Sequence, residues 1–206
     1  MMDRIYTVKT LDSRPDDWSA IPKASIDQHK WIKKYMPTAY AQLVMVRGFG
    51  FLLRMVCYET QPKAVYHNYN DPVYLDSCLE FFAAWKNDDP RYVNMEMNSF
   101  GTLLACIGEE RNNRIPIADL TGGKIFSVTG EVGPTYWSVT AEIPFSRIKE
   151  LYGVGEETFV SGYRFRGNFY KCGDETEFPH YGAWSRVEAE QPDFHRPEFF
   201  GTLVIS

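Results

Sequence analysis

Alternation is the dominant hydrophobic pattern along this chain. In residues 91–98, Val93, Met95 and Met97 alternate with Asn94, Glu96 and Asn98, a period of two that gives a strand one core face and one polar face. The run before it behaves in the same way: Leu79, Phe81, Ala83 and Trp85 fall on one side, and Cys78, Glu80, Phe82 and Ala84 on the other. Between the two runs, residues 86–90 read Lys-Asn-Asp-Asp-Pro. That density of turn formers predicts a β-hairpin. A further turn at 98–101 leads into a third strand over 102–107.

Strand signals recur at 5–8, 39–47, 49–59, 124–129, 136–144, 158–171 and 199–205. Residues 16–37 carry Trp18, Trp31 and Tyr35 but no sustained period, and read as an ordered wrap with room for one helical turn, its aromatics pinned to the body of the protein. Long loops are expected at 60–72 and 185–197, and 108–123 is polar and turn-rich. One short helix fits 145–151, with Ser146 as its candidate cap. No repeat, low-complexity tract or linker interrupts the pattern. It predicts a single all-β domain over 1–206, an antiparallel β-sandwich with one or two short helices.

Composition narrows the function classes. The 206 residues are 16% aromatic and carry a formal charge of −5 from 22 basic and 27 acidic side chains. Basic residues occur in nothing longer than short pairs such as Lys33-Lys34, which argues against a nucleic-acid partner. No apolar run reaches about eighteen residues, so no membrane span is expected. Residues 1–17 lack an apolar segment of signal-peptide length. The chain as written is therefore expected in the cytoplasm, or secreted if a leader has been removed. Cys57, Cys78, Cys106 and Cys172 show no CxxC spacing and read as free thiols in or beside strands.

Candidate chemistry lies on the polar sides of the strands. Glu80, Asn94, Glu96, Asn98, Glu142, Arg164, Arg166, Asn168 and Tyr170 give those sides more Arg, amide and carboxyl groups than solvent contact requires. An exposed sheet face laced with ion pairs is one reading. A sugar site is the other, because planar bidentate groups engage pairs of hydroxyls while aromatic faces cover the C–H surface of a ring. The aromatics flanking this face are Tyr69, Tyr74, His180, Tyr181, Trp184 and Phe194. Tyr74 and Phe194 have polar, Pro-containing neighbours that suit exposure, whereas Trp184 sits in an apolar run that suits packing.

At these residues the sequence resembles a known family. The segments DSCLEFF, YVNMEMNSFGTLLA, WSVTAEIPFSRI, FRGNFYKCGDE and PDFHRPEFFGTL look like carbohydrate-binding module family 9, in its stand-alone family 9-like branch, over most of the chain from Trp18 onward. The resemblance implies a jelly-roll-like sandwich, without catalysis, that grips a mono- or oligosaccharide between two aromatic rings above charged and amide groups. The rings would be Tyr74 and Phe194, standing where the family has tryptophans. Glu80 would be the strand glutamate, Arg91 falls near the family's arginine, and the amide role falls on Asn168, Tyr170 or Lys171. Asn98, Arg166 and Trp184 complete the candidate ligand-binding set. Structural calcium, also implied, would draw on Asp71, Asp76 or Asp174.

Three alternatives stay open at this point. Glu80 with Glu96 or Glu142 could cleave glycosides as an acid/base pair. The four His and seven Met residues allow a haem-binding relative of the fold, although Met45, Met55, Met95 and Met97 sit in strand patterns that suit a core. Aromatic loops could also dock a protein.

Overall fold

The computed structural model describes residues 4–206. Its strands are β1 (Ile5–Leu11), β2 (Ala24–Ser25), β3 (Thr38–Val46), β4 (Gly50–Tyr58), β5 (Cys78–Ala84), β6 (Tyr92–Asn98) and β7 (Leu103–Glu110), followed by β8 (Asn113–Pro116), β9 (Ser127–Val132), β10 (Trp137–Pro144), β11 (Arg164–Gly173), β12 (His180–Ala183) and β13 (Gly201–Ile205). The helices are α1 (Ile117–Leu120) and α2 (Phe145–Tyr152). Among the described residues no helix is long and apolar enough to cross a membrane.

The strands form two layers joined at one seam. The first runs β8-β7-β6-β5-β11-β13-β1, with β12 also on β11; the second runs β1-β3-β4-β10-β9, with β2 on β3. β1 belongs to both, because Ile5–Val8 pair with Thr202–Ile205 while Lys9–Leu11 pair with Val44–Val46. Both of its pairings are parallel, and every other strand pair is antiparallel. The all-β sandwich expected from the sequence is therefore present, with a parallel seam that local patterns do not signal.

The alternation decides which side chains meet between the layers. Leu79, Phe81, Ala83 and Trp85 point inward with Val93, Met95 and Met97, and pack with Met45, Met55, Phe165 and Phe169 in the main core. Those four methionines are core fillers. Phe81 stacks on Phe169 at 4.9 Å, and Trp85 on Phe165 at 4.9 Å, contacts worth about 0.5–1.5 kcal/mol each beyond area burial. The opposite faces of β5, β6 and β11 carry Cys78, Phe82, Tyr92, Tyr170 and Cys172, which pack with Phe194 and Phe200 into a second, outer cluster. A sheet covered on both faces has to be roofed, and here long loops are the roof.

Three local expectations change. Residues 16–37 contain the two-residue β2 and no helical turn. Ser146 lies inside α2, whose N-cap is Pro144 and makes no side-chain cap bond; the strand runs straight into the helix, and Phe145 N–H is taken by the Phe49 carbonyl instead. The polar stretch 108–123 is a hairpin, β7–β8, leading into α1.

Candidate functional site

Register sets the floor of the site. On the outer face of the first sheet, Tyr170, Glu80, Glu96 and Leu104 form one row across β11, β5, β6 and β7. Cys172, Cys78 and Asn98 form the adjacent row. Above this floor lies a hollow of about 120 Å³, lined from the sheet by Glu80, Glu96, Leu104 and Cys172. The 60–77 loop adds Tyr74, the β7–β8 hairpin adds Arg111 and Arg114, the β11–β12 end adds Asp174 and Tyr181, and the loop before β13 adds Pro192, Asp193, Phe194 and His195.

The roof loops are tied down by buried hydrogen bonds. The Asn168 amide donates to the Ser185 carbonyl at 2.8 Å, and its oxygen accepts from the Ser185 N–H at 2.8 Å. Tyr170 donates its hydroxyl to the Phe194 carbonyl at 3.2 Å, and its ring stacks on the Phe194 ring at 4.1 Å with 12° between planes. Tyr92 and His195 Nδ1 share a bond of 2.9 Å. On the other side, Asn98 holds the 60–77 loop by donating to the Tyr66 carbonyl and Asp76 Oδ2, while its own oxygen accepts from Phe100 and Thr102 N–H.

Electrostatically the hollow is two buried carboxyls under two guanidiniums. Glu80 and Glu96 are each 3% exposed. Burial, and then the neighbouring Glu96, push the Glu80 carboxyl well above the usual carboxylate range. Burial raises Glu96 to about 7, against the pull of Arg114 and of the hydrogen bond from Asn94. Arg114 Nη1 lies 3.8 Å from Glu96 Oε1, an ion-pair distance rather than a hydrogen bond, so this buried nitrogen has no acceptor. Asn94 Nδ2 does donate to Glu96 Oε1, at 3.0 Å. Burial and then the two arginines hold His195 far below the ordinary imidazole range, leaving it neutral. Burial also raises Asp174.

Of the residues singled out in the sequence, Tyr74, Glu80 and Phe194 line the hollow, and Tyr170 lies beneath Phe194. Phe194 is 8% exposed, so it is a wall with one face already covered. The others are placed elsewhere. Asn98 and Asn168 are fully buried and spend their amides on the loops just described. Arg91 bonds Asp89 and the Leu151 carbonyl beside α2. Arg166 donates to the Phe200 carbonyl at 2.6 Å and lines a separate shallow cleft with Lys86, Asp89 and Glu198. Lys171 and Trp184 fall on the inner side: Trp184 packs edge-on to Tyr6 and Phe169, and Lys171, fully buried, donates to Ser77, the Cys172 carbonyl and His180. Glu142 lies on the second sheet, bonded to Arg14, so it cannot pair with Glu80.

Leu104, Arg111, Arg114, Cys172, Pro192, Asp193 and His195 are the lining residues that the sequence does not single out as ligand contacts. Arg114 is hidden because β8 is only four residues long and lies in a polar, turn-rich stretch, so 108–123 reads as a loop; Gly108 opposite Arg114 is the available signal of a close strand pair. The aspartates suggested for calcium do not gather. Asp71 Oδ2 accepts from His67 and Asn68 N–H, and Asp76 Oδ2 from Val65 and Tyr66 N–H. Asp174 lines the hollow instead. Asp76 Oδ1 is buried without a partner, but one such oxygen is far from the six to eight that calcium takes.

Known proteins share this architecture. A structure of a Bacteroides uniformis protein classed provisionally as carbohydrate-binding aligns over 100% of both chains with a TM-score of 0.81 and 27% identity. A family 9 carbohydrate-binding module from Caldicellulosiruptor kristjanssonii in complex with glucose aligns over 98% of this chain and 96% of its own, with a TM-score of 0.66 and 11% identity. The cellotriose complex of a family 9 module from the same organism gives 0.62 and 11%, over 98% and 94%. No curated protein matches the chain significantly. The model of carbohydrate-binding family 9 matches residues 16–205, and on that match the chain belongs to this family.

Proposed function

We propose that the protein binds one ring of a mono- or oligosaccharide in this hollow, without chemical turnover. The observation that carries the reading is the mixture of surfaces on one small cavity: the rings of Tyr74, Tyr181 and Phe194 stand around Glu80, Glu96, Arg111, Arg114 and Asp174. Aromatic faces cover the C–H side of a pyranose, while carboxyl and guanidinium groups engage its hydroxyls. Arg114 Nη1, buried and without an acceptor, is a donor that a hydroxyl oxygen would satisfy. Glucose and β-linked gluco-oligosaccharides are the first ligands to test, since related modules are complexed with glucose and cellotriose. Isothermal titration with glucose and cellotriose, backed by a glycan array, should give saturable heat that Arg114→Ala removes. An array blank for every glycan would end this reading in favour of a protein partner.

The facing buried pair Glu80 and Glu96 favours a second reading, glycoside cleavage with a protonated Glu80 as acid. Prolonged incubation with cellotriose decides it. Release of glucose that Glu80→Gln abolishes would establish an enzyme; intact cellotriose with measurable binding supports the module.

A further inference from the structure

The floor of the hollow holds two thiols that sugar contact does not use. β5 and β11 set Cys78 and Cys172 directly opposite one another, and Glu80 is two residues along the same face of β5. Sγ of Cys78, Sγ of Cys172 and a carboxylate oxygen of Glu80 all lie within 4.8 Å of one another. Among the described residues no other three His, Cys, Asp or Glu side chains converge in this way. Cys172 Sγ sits 2.8 Å from Glu80 Oε1.

The surroundings point to a cation. Cys78, Cys172 and Glu80 are 0%, 2% and 3% exposed. The one hydrogen bond Glu80 receives among the described residues is from the Cys172 thiol, and no Lys, Arg or His forms an ion pair with it. Buried carboxyls are paired, neutralised or bound to metal. Here ion pairing is missing, so the carboxyl is held either by a proton or by a metal, and two sulfur atoms stand beside it.

We propose that Cys78, Cys172 and Glu80 bind a thiophilic divalent cation, best matched by zinc, at the edge of the hollow. Tetrahedral zinc with Zn–S near 2.3 Å and Zn–O near 2.0–2.2 Å spaces its ligand atoms roughly 3.5–3.8 Å apart. Cys172 Sγ and Glu80 Oε1 stand closer than that value and every pair lies within 4.8 Å, so side-chain rotation, with Glu80 drawing back from Cys172, would bring the three atoms to ligand spacing. Two sulfur ligands select against calcium and magnesium, which take oxygen. Binding replaces the two thiol protons, and the carboxyl proton where Glu80 holds one, with the metal, and those protons leave to solvent. Three protein ligands leave the fourth position free, and because Glu80 and Cys172 both line the hollow, that position faces the ligand space. The site does not rest on the sugar reading, although Glu80 belongs to both.

Anaerobically reduced protein, residues 1–206, free of sugar, is titrated with cobalt(II) chloride and followed by absorbance. We expect saturation at one ion per chain, with the near-ultraviolet thiolate-to-cobalt band that a sulfur ligand produces, and loss of that band on adding one equivalent of zinc. Cys78→Ser and Cys172→Ser should each diminish the band, Glu80→Gln should weaken affinity by about tenfold or more, and Cys106→Ser should leave both unchanged. Cobalt binding to the wild type without a thiolate band, or no binding at all, overturns the proposal without recourse to any variant; so does a band that survives both Cys78→Ser and Cys172→Ser. Sugar titrations repeated in EDTA keep the two readings separate, since each can fail while the other stands.

Discussion

Glu80 and Glu96 face each other in register across β5 and β6, both buried and both on the floor of one hollow. Like charges so placed cannot both ionise at little cost, and the fold keeps a proton there into the neutral range.

Stability should therefore depend on pH through Glu96. Folded Glu96 holds its proton up to about 7, whereas the unfolded side chain releases it near the ordinary 4.5. Between those values the folded state carries more protons, so stability falls as pH rises through the window. Glu96→Gln should flatten this trend, recovering on the order of 1–3 kcal/mol at pH 8. Thermal melts at pH 5 and pH 8 in EDTA check it; a wild type and variant with the same slope would contradict the assignment.

His180 should behave in the opposite sense. Its Nε2 takes a hydrogen bond from Lys171 and its Nδ1 faces the Phe178 carbonyl, both at 2.7 Å. Burial, and then the Lys171 ammonium, lower it from 6.5 to about 4. The unfolded histidine takes up its proton near 6.5, so this group's contribution is present above that pH and is lost as pH falls toward 4. Imidazole resonances followed by NMR should show His180 neutral at pH 5. A midpoint near 6.5 would mean that His180 is neither buried nor held beside Lys171.

The two candidate clamp rings should separate into different kinds of residue. Tyr74 is half-buried, whereas Phe194 is stacked on Tyr170. Tyr74→Ala is expected to weaken sugar binding about threefold to tenfold, the worth of one aromatic contact, with little change in Tm. Phe194→Ala should cost about 3 kcal/mol of stability as well. Equal loss of Tm in both would place Tyr74 in the packing.

Asn168 was a binding candidate by sequence and is a strut in the structure. Asn168→Ala leaves the Ser185 N–H and carbonyl unpaired, at a cost of about 1–3 kcal/mol, and should loosen the 185–200 loop. Hydrogen exchange at Ser185 and around Phe194 is the readout, and unchanged protection there would refute the role.

Gly108 lets the hairpin that carries Arg111 and Arg114 close. A Cβ at this position would overlap the Asn113 carbonyl and come within 2.8 Å of Arg114 Cα. Gly108→Ala should therefore displace Arg114 and lower sugar affinity more than it lowers Tm, as calorimetry and melting measured together would show.

Much of this was legible because burial on a strand is periodic. The inward row of Leu79, Phe81, Ala83 and Trp85 and the outward Glu80 followed from alternation alone. What the pattern could not supply was identity at a distance. Lys171 alternates like a core residue yet carries a charge, and its place becomes intelligible only once Ser77, His180 and Glu59 are seen around it. Asn98 and Asn168 read as ligand groups because an amide satisfied by loop backbone looks the same in sequence as one awaiting a hydroxyl. Arg111, Arg114 and His195 come from short or irregular segments with no period to reveal them.

The β1 seam has a kinetic consequence. Ile5–Val8 pair with Thr202–Ile205, so this half of β1 waits for β13, the strand of the fold farthest from it in sequence. Closure of the first layer is then a non-local event of the kind that slows folding, and until β13 pairs, the Arg164–Gly167 edge of β11 stands open to the wrong neighbour.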